Sequence, residues 1–231
     1  MKKYLVIAFA LGSFIAKSQS NEVSGGATAI AVQDNNIVKS QENNVVKSGG
    51  VTTLIAGQAA PDFKLTNVNE KEVSFADYPK AKGFIVVFTC NGCPYAKAYE
   101  QRIIALNAKY APLGYPVIAI NPNDPAASEG DSFDKMQELA KTKKYAFPYL
   151  FDKGQTVTNL YGARATPHLF LISKTDKGNM IEYTGAIDND TEDSNPKKVK
   201  YVEQAITSLM NNEKPAVTMT KAIGCSVKRK A

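Results

Sequence analysis

Five consecutive apolar residues, Phe84-Ile85-Val86-Val87-Phe88, run straight into Thr89-Cys90-Asn91-Gly92-Cys93-Pro94. An uninterrupted β-branched and aromatic run of this length reads as a strand covered on both faces. Pro94 then opens a helix, a position where its missing N–H costs nothing. Tyr99, Ile103, Leu106 and Tyr110 continue that helix at the spacing of one face. The two cysteines therefore straddle a strand-to-helix turn, and the chain around them is committed to layers of helix on sheet.

The rest of the pattern agrees. Val117-Ile118-Ala119-Ile120 is a second buried strand, and Phe133, Met136 and Leu139 place a helix over 131–144. His168 to Ile172 is strand-like, and Met180 to Thr184 follows across the turn Asp176-Lys177-Gly178-Asn179, which predicts a β-hairpin. Val199, Val202, Ile206 and Leu209 mark a last helix, with Asn195 expected as its N-cap and Pro196 as its first residue. Parallel strands joined by helices and closed by an antiparallel hairpin predict an α/β sandwich whose mixed central sheet is flanked by helices.

The N-terminus reads as an address. Lys2 and Lys3 precede an apolar run from Tyr4 to Ala16, and Lys17 to Ser20 is small and polar. That order matches a secretory signal peptide, expected over residues 1–20. The run is shorter than the ~20 apolar residues of a membrane span, so no stable membrane insertion is expected after cleavage. Residues 21–56 are rich in Asn, Ser, Gly, Val and Lys and hold a near-repeat, NNIVKS and NNVVKS, which suits a flexible linker. Residues 57–212 carry the globular pattern, and 213–231 form a C-terminal extension. An export signal places the chain in the periplasm or cell envelope.

Charge excludes one class of partner. The formal net charge is +6, and removal of Lys2, Lys3 and Lys17, with no acid among residues 1–20, leaves +3. A diffuse excess of this size lacks the clustered basic face that nucleic acid requires. The tail Lys228-Arg229-Lys230 reads as a solvated end.

The chemistry rests on sulfur. The cysteines are Cys90, Cys93 and Cys225, too few for a disulfide framework and odd in number, which fits a working pair plus one. At a helix start, free N–H groups and positive partial charge stabilise a thiolate, the form that attacks a disulfide. Gly92 is expected to let the turn bend. Cys90, expected to be the more exposed, reads as the nucleophile, and Cys93 as the thiol that resolves the mixed disulfide. Lys97, one turn along, reads as a solvated lysine. A structural disulfide, half of a zinc site and two inert thiols compete for the pair; its place at a buried-strand exit favours redox work.

Gly57-Gln58-Ala59-Ala60-Pro61-Asp62-Phe63, the segment FTCNGCPYAKAYE from Phe88 to Glu100, and Thr166-Pro167 before the strand at His168 together resemble the AhpC/TSA (redoxin, or peroxiredoxin-like) branch of the thioredoxin-like superfamily. The resemblance spans Gly57 to Leu209, and Gly224-Cys225-Ser226-Val227-Lys228 is similar to an ending found in one peroxiredoxin-like subgroup. It implies a thioredoxin-like fold with Pro167 cis and facing the dithiol, and substrate binding at Thr166 and Pro167, where the Thr166 backbone would pair with an incoming peptide. Two positions depart from the pattern. Peroxiredoxins place a Thr three residues before the peroxidatic cysteine, but Cys90 stands three before Cys93 and Val87 three before Cys90. Thioredoxins carry a buried acid six residues before the first cysteine, where this chain has Phe84. Arg164 reads as a solvated loop charge.

The leading expectation is an exported thiol-disulfide oxidoreductase, acting on protein thiols or disulfides and served by a thiol electron donor, with no bound cofactor. A thiol peroxidase acting on hydroperoxide is the alternative. A copper or zinc carrier, built from Cys90, Cys93, His168 and Cys225, is a third, and no metal is expected at the dithiol. Cys225 itself reads as a bystander in a C-terminal strand. The acidic stretch Asp188 to Asp193 reads as a solvated loop, since calcium-hand spacing is absent.

Overall fold

A computed structural model describes residues 47–48 and 51–230. The expected signal peptide and most of the expected linker lie outside the described residues. Among the described residues the strands are β1 Lys47–Ser48, β2 Val51–Thr52, β3 Leu65–Asn67, β4 Glu72–Val73, β5 Gly83–Phe88, β6 Val117–Asn121, β7 Tyr149–Phe151, β8 Ala165–Thr166, β9 His168–Thr175, β10 Gly178–Gly185 and β11 Cys225–Ser226. The helices are α1 Pro94–Tyr110, α2 Phe133–Lys143, α3 Thr156–Tyr161 and α4 Tyr201–Met210.

The main sheet runs β10-β9-β5-β6-β7-β3-β4. β5, β6 and β7 are parallel, and β9, β10, β3 and β4 add to them antiparallel. This is the thioredoxin-like α/β arrangement that the sequence predicts, with the mixed sheet in the middle. All six residues of β5 are buried, because the strand feeds two cores at once. Ile85 and Val87 pack with Tyr99, Ile103 and Ile206, from α1 and α4, on one face. Phe84, Val86 and Phe88 pack with Val157 and Tyr161 of α3 on the other. Successive side chains of a strand point to opposite faces, so the continuous apolar run is a two-sided burial. Each fully buried large side chain contributes about 1.5–3 kcal/mol.

Three local expectations are corrected. The last helix begins at Tyr201, not at Pro196. Asn195 caps a preceding turn: its Oδ1 accepts from the Lys197 N–H at 2.8 Å, and its carbonyl accepts from the Lys198 N–H at 3.1 Å. The acidic stretch is solvated only in part, since Asn189, Glu192 and Asp193 are exposed but its first residue is not. Asp188 is buried and takes both oxygens' bonds from Arg102 Nη1, at 2.8 and 2.9 Å, with Lys198 3.3 Å away. Removing one partner of such a buried pair leaves an uncompensated charge. Finally, α3 and the short strands β3, β4 and β7 are additional to the predicted elements.

The C-terminal extension is a strap laid along the domain. Thr218 and Thr220 bond to Thr184 through the backbone, and Met219 bridges to Thr184. The Tyr183 hydroxyl meets Thr220 Oγ1 at 2.6 Å. At the other end of β10, Ala59 bridges to Met180. Beyond Gly224 the strap reaches β8, and there the site begins.

Candidate active site

β5 ends and α1 begins around the turn 89–93. Cys93 is the N-cap residue of α1, with extended backbone, and Pro94 is the first helical residue. Apolar periodicity holds α1 down along Ala96, Tyr99 and Ile103, so both thiols are fixed against the sheet rather than on a loose loop. Cys90 and Cys93 are free thiols in the same buried cluster with Ala96.

The turn does not depend on glycine. Gly92 has no left-handed φ and is exposed, and a Cβ there would meet only Asp131 Oδ2, at 4.0 Å. What holds the turn is Asp131. Its Oδ1 accepts from the Asn91 N–H at 2.6 Å. Its other contacts are Asn123 Nδ2 at 2.7 Å, Ser128 Oγ at 2.6 Å and Asn121 Nδ2 at 3.3 Å. Tyr149 adds a bond from its hydroxyl to Asn91 Oδ1 at 2.8 Å. The position six residues before Cys90, where thioredoxins carry a buried acid, is Phe84. The acid comes instead from the segment after β6, and the cluster of Asn121, Asn123 and Ser128 around it was the available signal.

The Thr166-Pro167 bond is cis, as the resemblance implies, and Thr166 meets both sulfurs. Its hydroxyl is 3.1 Å from Cys90 Sγ, and its carbonyl accepts from the Cys93 thiol at 3.2 Å. Its backbone edge, however, is taken. β11 pairs antiparallel with β8, setting Cys225 opposite Thr166 and Ser226 opposite Ala165. The edge expected to receive a peptide is filled by the chain's own C-terminal strand.

Cys225 is therefore no bystander. It packs against the Cys90, Cys93 and Ala96 cluster, with its backbone laddered onto Thr166. The expectation failed because it treated the terminus as loose, whereas Val227 is buried and the strap is bonded through the backbone of Thr218, Thr220, Val227 and Lys228.

Cys90 and Cys93 are equally covered, 6% exposed each, so exposure does not single out Cys90. Direction separates them instead. Cys90 lines a cleft of about 180 Å³ with Asn91, Lys97, Glu100, Tyr145 and Tyr149, while Cys93 is not among its lining residues and packs in the cluster that Cys225 joins. Their acidities also differ. Burial pushes the Cys90 thiol up to about 11, with the Asp131 carboxylate adding to the rise and the Thr166 hydroxyl opposing it. Burial also acts to raise Cys93, but the Cys225 thiol, the N–H groups of Ala96 and Cys225 and the Thr166 hydroxyl together bring it below the ordinary value. The Ala96 N–H is one of the unpaired donors of a helix start. Cys225 moves the other way, raised first by the neighbouring Cys93 side chain and then by burial.

His168 is turned to other work. Its Nδ1 accepts from the Arg164 N–H at 3.3 Å, so its Nε2 carries the proton and faces Thr184 Oγ1 at 3.1 Å. Burial, then the nearby Arg164 charge, lowers it to about 3. Both ring nitrogens are engaged away from sulfur. Among the described residues no group of three or more His, Cys, Asp and Glu side chains is arranged to hold a metal ion. Lys97 is exposed, at the cleft's rim.

The chain has relatives among known proteins. The chain is similar to the thiol-disulfide oxidoreductase ResA of Geobacillus thermodenitrificans, 27% identical over 129 residues, which is 54% of this chain and 68% of that protein. An uncharacterized conserved protein from Geobacillus kaustophilus, of known crystal structure, is 30% identical with a TM-score of 0.69, covering 76% of this chain and 92% of that one. A Neisseria meningitidis protein described as a thioredoxin shares the fold, at 24% identity and a TM-score of 0.51, over 66% of this chain and 90% of its own. The AhpC/TSA family pattern matches residues 56–180, a span that holds the buried strand, both cysteines of the turn and the cis-proline loop, and the chain belongs to that family.

Proposed function

We propose that this chain is an exported thiol-disulfide oxidoreductase that works through Cys90 and Cys93 on protein thiols or disulfides. The observation that carries the reading is two free sulfurs held at the start of α1, both touching Thr166 beside the cis-proline. The ResA relatives support the reaction class, and the basic-then-apolar N-terminal pattern of residues 1–20 supports export.

Cys90 opens to the cleft and is the atom that meets substrate. Its thiolate attacks one sulfur of a substrate disulfide, and a mixed disulfide forms as the other substrate sulfur leaves as thiolate. Cys93, the more acidic thiol, then attacks the Cys90 sulfur, releasing the substrate as a dithiol and leaving Cys90–Cys93 oxidised. A thiol donor reverses the sequence and restores the pair.

Cys93→Ser is expected to accumulate mixed disulfides with a disulfide-bonded peptide, and Cys90→Ser is not; the reverse pattern would falsify the role assignment. The pH profile is a separate check. With Cys90 titrating near 11, the attack rate rises through pH 9 and beyond, whereas a plateau below pH 9 would identify Cys93 as the attacking atom.

Peroxidase chemistry is the second reading, favoured by the acidified Cys93 and by the family. In it a hydroperoxide oxidises the Cys93 thiolate to a sulfenic acid, which condenses with Cys90 and loses water. Stoichiometric oxidation of the reduced protein by dilute peroxide, far faster than a free thiol reacts, would promote this reading.

A further inference from the structure

The third sulfur remains without a part in the dithiol cycle. It is not placed by accident of a loose end. Cys225 sits in a ladder opposite Thr166, the same residue whose hydroxyl and carbonyl meet Cys90 and Cys93. On the N-terminal side, Gly224 lies so close over the loop that a Cβ there would stand 2.3 Å from the Thr166 carbonyl oxygen and 3.0 Å from the Pro167 nitrogen. On the C-terminal side, the Val227 N–H donates to the Arg164 carbonyl at 3.0 Å and the Lys228 N–H to Asn123 Oδ1 at 2.9 Å. The Lys228 carbonyl accepts from the Asp124 N–H at 3.0 Å and from Gln155 Nε2 at 2.8 Å. The Lys230 N–H donates to Gln155 Oε1 at 3.0 Å. The effect is to hold one thiol, through a strand, against the cluster of Cys90, Cys93 and Ala96.

We propose that Cys225 is a third redox thiol, which exchanges with the Cys90–Cys93 disulfide at the Cys93 sulfur. The step rests on the dithiol reading, since substrate turnover supplies the first disulfide. The Cys225 thiolate attacks Cys93 Sγ; the Cys93–Cys225 bond forms as the Cys90–Cys93 bond breaks. The electron pair leaves on Cys90, which takes up, through solvent, the proton that Cys225 gave. No net oxidation or reduction occurs. The outcome is a disulfide stored under the strap and a Cys90 thiol returned to the cleft, with β11 covalently fixed on the edge that a peptide would use. Because the partners share one chain, the exchange is unimolecular and independent of protein concentration.

The test uses the full chain in three forms: unchanged, Cys90→Ser and Cys225→Ser. Each is reduced, oxidised with diamide, quenched in acid, alkylated and mapped by mass spectrometry after proteolysis. The proposal expects Cys90→Ser to form a Cys93–Cys225 link within one chain, with a yield unchanged over a roughly 100-fold range of protein concentration. It expects the oxidised unchanged protein to be a mixture, with some molecules linked Cys90–Cys93 and others Cys93–Cys225, and Cys225→Ser to hold the first link alone. The unchanged protein carries no substitution, so its map stands even where a variant folds badly. Loss of the Cys93–Cys225 link from both the unchanged protein and Cys90→Ser, while Cys225→Ser still forms Cys90–Cys93, overturns the third thiol and leaves the dithiol reading intact. Failure of Cys225→Ser to form Cys90–Cys93 strikes the dithiol reading instead.

Discussion

Asp131 shows how one side chain sets both geometry and acidity. Its carboxylate takes the Asn91 N–H and so fixes the turn between the cysteines, and its charge helps hold the proton on Cys90. Asp131→Asn keeps the shape and removes the charge. The Cys90 thiol is then expected to titrate at lower pH, read from thiolate ultraviolet absorbance, and the lost acceptors cost about 1–3 kcal/mol in a urea melt. An unchanged Cys90 titration would show that burial alone sets it. At this scale the sequence was half legible. Cys90 and Cys93 were legible because strand, turn and helix are local signals, whereas Thr166 and Pro167, which meet both sulfurs across more than 70 residues, came from the family resemblance. Asp131 and Cys225 reach the sulfurs only through chain folding, and no local spacing announces such contacts.

The elements divide in the same way. β5, α1, β6 and the β9–β10 hairpin were readable because each is an apolar run or a one-faced helix that propensity and burial both favour. β7 is three residues and α3 six, too short for a period to emerge, and they form because the two cores need covering. Asn195 misled because a capping residue looks the same before a turn as before a helix. β11 is the least legible and the most consequential element: two residues whose pairing closes the cis-proline edge. Gly224 is the hinge pin of that closure. In Gly224→Ala the new methyl meets backbone atoms that cannot turn aside, so the strap is expected to lift at a cost of about 1–3 kcal/mol. Cys93 and Cys225 then alkylate faster with iodoacetamide than in the unchanged protein, and peptide mapping reads each rate. Equal rates would mean that the strap does not shield the sulfurs.

For the molecule as a whole, buried ionisable groups bound the pH range of stability. His168 is held neutral to about pH 3, while an unfolded chain protonates it near the ordinary value of 6.5. The unfolded state therefore binds the extra proton first, and stability is expected to fall as pH drops from about 6.5 toward 3. On the alkaline side, Cys90 keeps its proton to about 11, and burial likewise raises Tyr149, Tyr161 and Tyr183. Unfolding releases those protons, so stability falls again above about pH 9. Urea midpoints across pH check both limbs, and His168→Asn should flatten the acid one; an acid limb that persists unchanged would assign it to carboxylates.

The bridges at the two ends of β10 have a bearing on how copies of the chain meet. A long margin of unspent N–H and C=O groups invites neighbouring sheets to join side by side. Here β10 is engaged by Ala59 at Met180 and by Met219 at Thr184, and its register breaks between Ile181 and Tyr183. The opposite margin, β4, is two residues long. Among the described residues, lateral fusion of two such sheets therefore finds no straight, vacant rail on either flank, and part of that cover is the same strap that carries the third sulfur.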